Sequence, residues 1–380
     1  MKPLDPLVHP PTLAPGLPAR VHGGPDTVGV PRFDFSTNSN ACGPCPPALV
    51  AVQQADATRY PEPRYTALRH ALADFHGVAP GRILMAGSAS ECIFRLTAWV
   101  ARQGGATVCL PRHAYGDYAQ AAQAWGLGLT HDPAQASLVW ACEPSSPLGQ
   151  AHLPWPAWLW PDATCAGSDD ALLSRHTEAT SRTSFSANGC VCASPVVVLD
   201  CAYAPLRLSG APSLSAAQRD QIWQLFSPNK SLGLTGVRAA YAIAPAGAEA
   251  TVQALDALAP SWLLGAHGVA LLHAWVTPQV QTWLGESLHT LRDWKARQIA
   301  MLTELGWTCL PSDANFFCAR PAPELENLAA GWTAALAHLR GQGIKLRDTA
   351  SFGLPGHARL GVLPPAAQDA LRAAWQNSGR

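Results

Sequence analysis

The chain has 380 residues, with 26 lysines plus arginines and 26 aspartates plus glutamates, for a formal net charge of zero. That length exceeds one ordinary compact domain and implies a large domain with a smaller one beside it. The balanced charge, without a basic block or an acidic tail, excludes an electrostatic footprint for nucleic acid or a membrane surface. No apolar run of about 18 residues occurs, and Met1-Lys-Pro-Leu-Asp-Pro-Leu-Val-His-Pro is too proline-rich for a signal sequence. A cytoplasmic protein whose partners are small molecules and another protein surface is expected.

Residues 1 to about 30 are rich in proline and glycine without periodicity and read as an extended arm, which includes Val21-His22-Gly23-Gly24. The arm runs on through Phe33-Asp-Phe-Ser36-Thr-Asn38-Ser-Asn40 to residue 45. Next comes Cys42-Gly-Pro-Cys45, the spacing of a thiol–disulfide exchange motif. That chemistry needs the first thiol at a helix N-terminus inside a βαβ unit. Pro46-Pro47-Ala-Leu-Val-Ala-Val suggests a helix start, but no strand precedes it, so redox exchange through Cys42 and Cys45 is kept as a distant alternative to a structural pair. The eleven cysteines are scattered, several in apolar runs such as Val108-Cys109-Leu110, as reduced buried thiols would be.

Thr58-Arg59-Tyr60-Pro61-Glu-Pro63 reads as a turn, and Leu68, Leu72 and Phe75 mark one face of a helix. Arg82-Ile-Leu-Met-Ala86 reads as a buried strand, leading through Gly87-Ser88-Ala89-Ser90-Glu91 into a helix through Ile93, Leu96 and Val100. Free N–H groups and the positive dipole end make such a turn an anion site, although Ser90 with Glu91 also suits a plain cap. Further strands are expected at Thr107–Pro111 and Ser137–Cys142, the latter ending in Glu143-Pro-Ser-Ser146-Pro147-Leu-Gly149. Residues 161–194, with few apolar repeats, read as an exposed insertion; within it Cys190 and Cys192 lack further ligands at metal spacing, and no metal site is expected. Pro195-Val-Val-Val-Leu-Asp200 is the clearest buried parallel strand, and its terminal aspartate points into the crevice where α/β sheets bind ligands. Helices are expected around Leu255, Leu263, Val269 and from Leu284 to Met301, then strands at Asn315–Ala319, Ile344–Asp348 and Ala358–Val362.

Ser227-Pro-Asn-Lys230-Ser-Leu-Gly233-Leu-Thr-Gly236-Val-Arg238-Ala-Ala-Tyr241 sets one lysine among small residues. A partly desolvated lysine is a nucleophile toward an aldehyde, Ser227 adds a hydroxyl donor, and Arg238 adds a fork that binds phosphate. A surface lysine and arginine flanking a loop is the plain alternative. The pattern S-x-x-K-x-x-G-L-x-G-x-R-x-x-Y resembles the Schiff-base lysine segment of fold-type I pyridoxal-phosphate enzymes, in the branch of histidinol-phosphate aminotransferases and threonine-phosphate decarboxylases.

This resemblance implies an α/β, aspartate-aminotransferase-like fold. A mostly parallel central sheet would lie in a large cofactor-binding domain (residues 46–300), beside a small C-terminal α+β domain (residues 301–380). It implies pyridoxal 5'-phosphate as cofactor, an amino donor and a 2-oxo acid acceptor as substrates, and a homodimer. Lys230 would be catalytic. Ser88, Ala89, Ser90, Ser227 and Arg238 would hold the cofactor phosphate, together with Tyr60 from the partner subunit. Tyr115, with Tyr118 or His113 as alternatives, would stack on the ring, Asp200 would pair with the ring nitrogen, and Tyr203 and Ser146 would face the phenolic oxygen. Ser146 departs from the family pattern, which has an asparagine there. His22, Asn38, Arg347 and Arg359 would contact substrate, the two arginines having surface ion pairs as their alternative. Transamination is the expected reaction, with threonine-phosphate decarboxylation as the alternative.

Overall fold

The computed structural model describes residues 22–160, 195–322 and 329–377. The expected insertion at 161–194, with Cys190 and Cys192, and the first 21 residues of the arm lie outside the described residues. In chain order the segments are strand β1 (Phe33–Asp34), helices α1 (Pro46–Gln53) and α2 (Thr66–His76), β2 (Ile83–Ala86), α3 (Ala89–Arg102), β3 (Thr107–Cys109), α4 (Gly116–Ala124), β4 (Gly128–Thr130) and β5 (Leu138–Cys142). They continue as β6 (Val196–Asp200), α5 (Ala216–Arg219), β7 (Trp223–Phe226), β8 (Ala240–Ile243), α6 (Glu249–Asp256), α7 (Ala266–Trp275) and α8 (Pro278–Glu304). The remainder is β9 (Thr308–Cys309), β10 (Phe316–Arg320), α9 (Ala329–Gly341), β11 (Ile344–Lys345), β12 (Arg347–Asp348), β13 (Ala358–Gly361) and α10 (Pro365–Asn377).

The large sheet has the order β2-β8-β7-β6-β5-β3-β4. Strands β4, β3, β5, β6 and β7 are mutually parallel, whereas β8 is antiparallel to both β7 and β2. Two reversals leave β2 pointing the same way as the parallel set. Every residue of β5 and the last four of β6 are buried, as expected where helices cover both faces of a parallel sheet. One consequence decides where chemistry sits. The segments leaving the C-terminal ends of β2, β3, β5, β6 and β7 carry Ser88, Tyr115, Ser146, Asp200–Tyr203 and Ser227–Lys230, and Arg238 precedes the antiparallel β8, so all lie at one edge of the sheet.

A second sheet, β12-β13-β10-β9, is antiparallel throughout and pairs Arg347 with Arg359 directly across β12 and β13. The arm joins the C-terminal part of the chain, because β1 pairs in parallel with β11 at Phe33↔Ile344 and Asp34↔Lys345. Helix α8 begins on Pro278, where the missing N–H is not needed, and carries Leu284 to Met301 as expected.

Two expectations need correction. Ile344–Asp348 is not one strand: it splits at Leu346, with β11 joining the arm and β12 the antiparallel sheet. Leu263 is not helical; it sits in the turn between α6 and α7, beside Trp262, whose φ of 51° is incompatible with a helix.

Candidate active site

The lysine loop is clamped by the end of the arm. Asn40 N–H donates to the Lys230 carbonyl at 2.9 Å, Asn40 Nδ2 donates to the Ser231 carbonyl at 3.1 Å, and Cys45 N–H donates to the Leu232 carbonyl at 2.8 Å. The approach is so close that a Cβ on Gly233 would stand 2.6 Å from the Gly43 carbonyl oxygen, and Gly233 has φ +67°. Glycine is therefore required on both counts. Cys42 and Cys45 belong to this clamp: Cys45, not Cys42, caps α1, neither is in a disulfide, and burial pushes both thiols up. A thiol raised in this way is a poor nucleophile, which removes the physical basis for redox exchange.

Lys230 is half-buried, with Nζ 5.3 Å from the centroid of the Tyr203 ring. Tyr203 accepts a hydrogen bond from Asn38 Nδ2 at 3.3 Å. Asp200 is 5% exposed and accepts from Tyr118 Oη at 2.7 Å and from Ala202 N–H at 2.9 Å. Burial raises its carboxyl, while the Tyr118 hydroxyl, the Ala202 amide and the charge of Lys230 pull it back. Tyr118 also stacks on Trp140 at 4.7 Å, so it serves Asp200 and the core. Tyr115 meets the Tyr118 ring edge-on at 5.8 Å, with its hydroxyl 3.3 Å from Ser90 Oγ and its ring 6.2 Å from the His22 ring. His113 bonds the Phe352 carbonyl through Nδ1 at 2.7 Å.

Ser88 caps α3 by accepting from Glu91 N–H at 3.1 Å, which leaves the N–H groups of Ala89 and Ser90 in the first turn for an outside acceptor. The cap is Ser88 rather than the expected Ser90, and a cap at that position is compatible with an anion turn. Arg238 is exposed, with no hydrogen-bond or ion-pair partner among the described residues. Arg347 and Arg359 are buried at 4% and 7% exposure and both face the Phe352 ring, at 4.8 and 5.6 Å. Arg347 donates to Ser351 Oγ at 2.8 Å, and burial followed by the charge of Arg359 lowers it to about 10. Arg359 donates to Ser146 Oγ at 3.2 Å and to the Ser36 carbonyl at 3.0 Å. Tyr60 stands apart, 77% exposed and stacked on Trp262 at 4.5 Å.

Sequence reasoning missed Phe352, the aromatic face shared by the two arginines, and the role of Tyr118. The second was readable, since Tyr118 lies three residues from Tyr115 at the start of one helix; no pattern marks Phe352.

The profile of the family described as aminotransferase class I and II matches residues 31–143 and 194–374. The chain belongs to this family. With it come pyridoxal phosphate as cofactor and, as substrates, an amino donor and a 2-oxo acid. The chain is 29% identical over 355 residues to a histidinol-phosphate aminotransferase of Jannaschia sp. (strain CCS1), covering 87% of each. It is 32% identical over 305 residues to histidinol-phosphate aminotransferase 1 of Ralstonia nicotianae, covering 78% of this chain and 76% of the relative. A solved histidinol-phosphate aminotransferase from Sinorhizobium meliloti, in complex with pyridoxal-5'-phosphate, superposes with TM-score 0.69 at 21% identity, over 90% of this chain and 89% of that one. An L-threonine-O-3-phosphate decarboxylase from Porphyromonas gingivalis gives 0.67 at 17%, over 90% and 98%; both show a common fold.

The residues present fit the cofactor. Ser227 Oγ and Ser231 Oγ on the lysine loop, Asn38 Oδ1 beside Tyr203, and Arg359 Nε on the antiparallel sheet are buried without hydrogen-bond partners. Buried polar atoms are normally paired, so a cluster of unpaired ones marks the outline of a polar, anionic ligand.

Proposed function

We propose that this aminotransferase acts on histidinol phosphate or a close amino-phosphate, with Lys230 as its catalytic residue. The observation that carries the reading is Lys230, with no partner for its ammonium among the described residues, standing beside unpaired buried polar atoms, with Asp200 on the sheet edge and two buried arginines on the facing sheet. The names of the curated relatives support the substrate class.

Pyridoxal phosphate, when bound, supplies a sink for the electron pair left on a substrate Cα. Lys230 Nζ would accept the proton released from the substrate Cα and hold it for return. Asp200 keeps a proton on the ring nitrogen, held in place by the Tyr118 hydroxyl. The N–H groups of Ala89 and Ser90, the hydroxyls of Ser88 and Ser227, and the Arg238 fork bind the cofactor phosphate. Tyr115 covers the ring, and Tyr203, oriented by Asn38, donates to the phenolic oxygen. Arg359 grips a carboxylate, while Arg347 and His22 meet the distal anionic group.

We also assign the chain to a homodimer in the cytoplasm. The exposed Tyr60 lines a mostly apolar groove with Ala55, Pro61, Ala266, Val269 and Ala270, where Asp56 and Arg59 also stand, a surface suited to a second copy and to a phosphate contact from across it. No helix among the described residues is long and apolar enough to cross a membrane. The division into arm, large and small domains at residues 45 and 300 belongs to the same reading.

Histidinol phosphate with 2-oxoglutarate should yield glutamate. Carbon dioxide from O-phosphothreonine without glutamate formation would reverse the assignment in favour of the decarboxylase.

A further inference from the structure

The first turn of α3, where the cofactor phosphate is placed above, also carries a carboxylate. Glu91 turns back and accepts from the Gly87 N–H at 3.1 Å, while its own N–H donates to the Ser88 hydroxyl at 3.1 Å. This reciprocal pair braces the backbone of residues 87–91 and spends the Gly87 amide, which leaves the N–H groups of Ala89 and Ser90 for the ligand. The cost is electrostatic. A carboxylate beside an anion site repels the anion.

Arg95, one turn farther along α3, answers that charge. Its Nε stands 2.9 Å from Glu91 Oε1, and its Nη2 donates to Oε2 at 3.3 Å. The residue is 5% exposed and is anchored on two other elements: Nη2 also donates to the Met85 carbonyl in β2, and Nη1 donates to the Leu255 carbonyl in α6 at 3.4 Å. Burial raises the Glu91 carboxyl, and the charge of Arg95, followed by the Gly87 amide, pulls it back. Packing alone would be met at this buried position by an apolar side chain, as at the neighbouring Ile93 and Leu96. The cation is there for the carboxylate.

We propose that Arg95 is a positioning residue for the cofactor phosphate, acting through Glu91: it cancels the charge of the carboxylate that braces the turn, so the turn is rigid without repelling the anion it holds. The inference rests on the reading that seats the phosphate on Ala89 and Ser90.

The test titrates the full chain, stripped of cofactor, with pyridoxal phosphate and with pyridoxal, which lacks the phosphate, and reads the quenching of tryptophan fluorescence. Arg95→Met, which keeps the bulk without the charge, should weaken pyridoxal phosphate about tenfold and change pyridoxal by less than about twofold. Glu91→Gln keeps an acceptor for the Gly87 N–H and removes the charge. It should bind pyridoxal phosphate at least as tightly as the unaltered chain, and adding it to Arg95→Met should restore what that change lost. A packing role predicts that every one of these changes weakens both ligands. Glu91→Gln binding more weakly than the unaltered chain, or a double variant no better than Arg95→Met, overturns the proposal; the first of these stands even if Arg95→Met fails to fold. Ala89→Pro tests the reading beneath, because Ser88 has the extended backbone that suits a following proline and the first helical position accepts one, so a single N–H is removed. An Ala89→Pro chain that prefers pyridoxal phosphate over pyridoxal as strongly as the unaltered chain removes the phosphate seat, an outcome distinct from the other two.

Discussion

Two charged clusters lie along the arm, and they differ in how completely they are answered. At Asp26 the carboxylate receives Arg340 in bidentate fashion at 2.8 and 3.0 Å, Lys345 at 3.0 Å and the Val28 amide at 3.0 Å. The Arg340 bond, followed by that of Lys345, holds its carboxyl well below the usual carboxylate range. At Asn38, farther along, the arm reaches a region where Asn38 Oδ1, Ser227 Oγ, Ser231 Oγ and Arg359 Nε have no hydrogen-bond partner. The first cluster is finished and fastens the arm to α9 and β11; the second is left open. Charge alone therefore does not mark a site here, and neither does a single unpaired atom, since the indole nitrogens of Trp99 and Trp307 are also buried without partners; the second region differs in having two such atoms on the lysine loop itself.

If that contrast is right, the open cluster should lose function when altered and the closed one should lose only fit. The largest effect belongs to Lys230→Ala: kcat should fall by at least about 10³-fold. Borohydride reduction and peptide mass spectrometry should find the cofactor attached at residue 230 in the unaltered enzyme alone; attachment at another lysine would end the assignment. Asp200→Ala should lower kcat by about 10²- to 10³-fold, measured at saturating substrate, and a rate equal to that of the unaltered enzyme would remove Asp200 from the mechanism.

A third test lies outside both clusters. His76 shares its Nε2 with the Tyr241 hydroxyl at 2.8 Å, and burial lowers it from the ordinary 6.5 to about 4. Between those values the unfolded chain binds the proton and the folded chain does not. Stability should therefore fall as pH drops from about 6.5 toward 4, and His76→Gln should flatten that part of a Tm–pH curve. The smallest effect is expected from Asp26→Asn, a shift in Tm of about 2 °C or less. A loss there comparable to that of Asp200→Ala would mean that the latch is part of the catalytic machinery.

Much of the sheet was legible because its central strands are short, apolar and almost wholly buried: Val196–Asp200 and Leu138–Cys142 fall within a residue of expectation. Trp223–Phe226 escaped notice because a buried Gln224 interrupts the apolar run, and Gly128–Thr130 because it is an exposed edge strand. In the site, Lys230, Asp200 and Tyr203 were readable as a motif, since each follows a recognisable strand or loop. The Arg347–Arg359 pairing was not, because it depends on the register between β12 and β13, which local pattern does not encode. The partners of Ser146 were equally hidden. The family profile itself has no match between residues 143 and 194, the stretch that contains Ser146.

The clamp on the lysine loop has a kinetic side. Its bonds join residues about 190 positions apart, as between Asn40 and Ser231. Contacts of that separation carry a loop-closure cost that local helices and hairpins do not, and they form late when a chain folds. The lysine loop should thus take its final shape only after strands β3 to β7, which pair over much shorter separations, have come together, so a folding chain acquires that scaffold before the Lys230 side chain is set. Pulse-labelled hydrogen exchange during refolding should show the amides of Asn40 and Cys45 gaining protection after those of Val198 and Leu199.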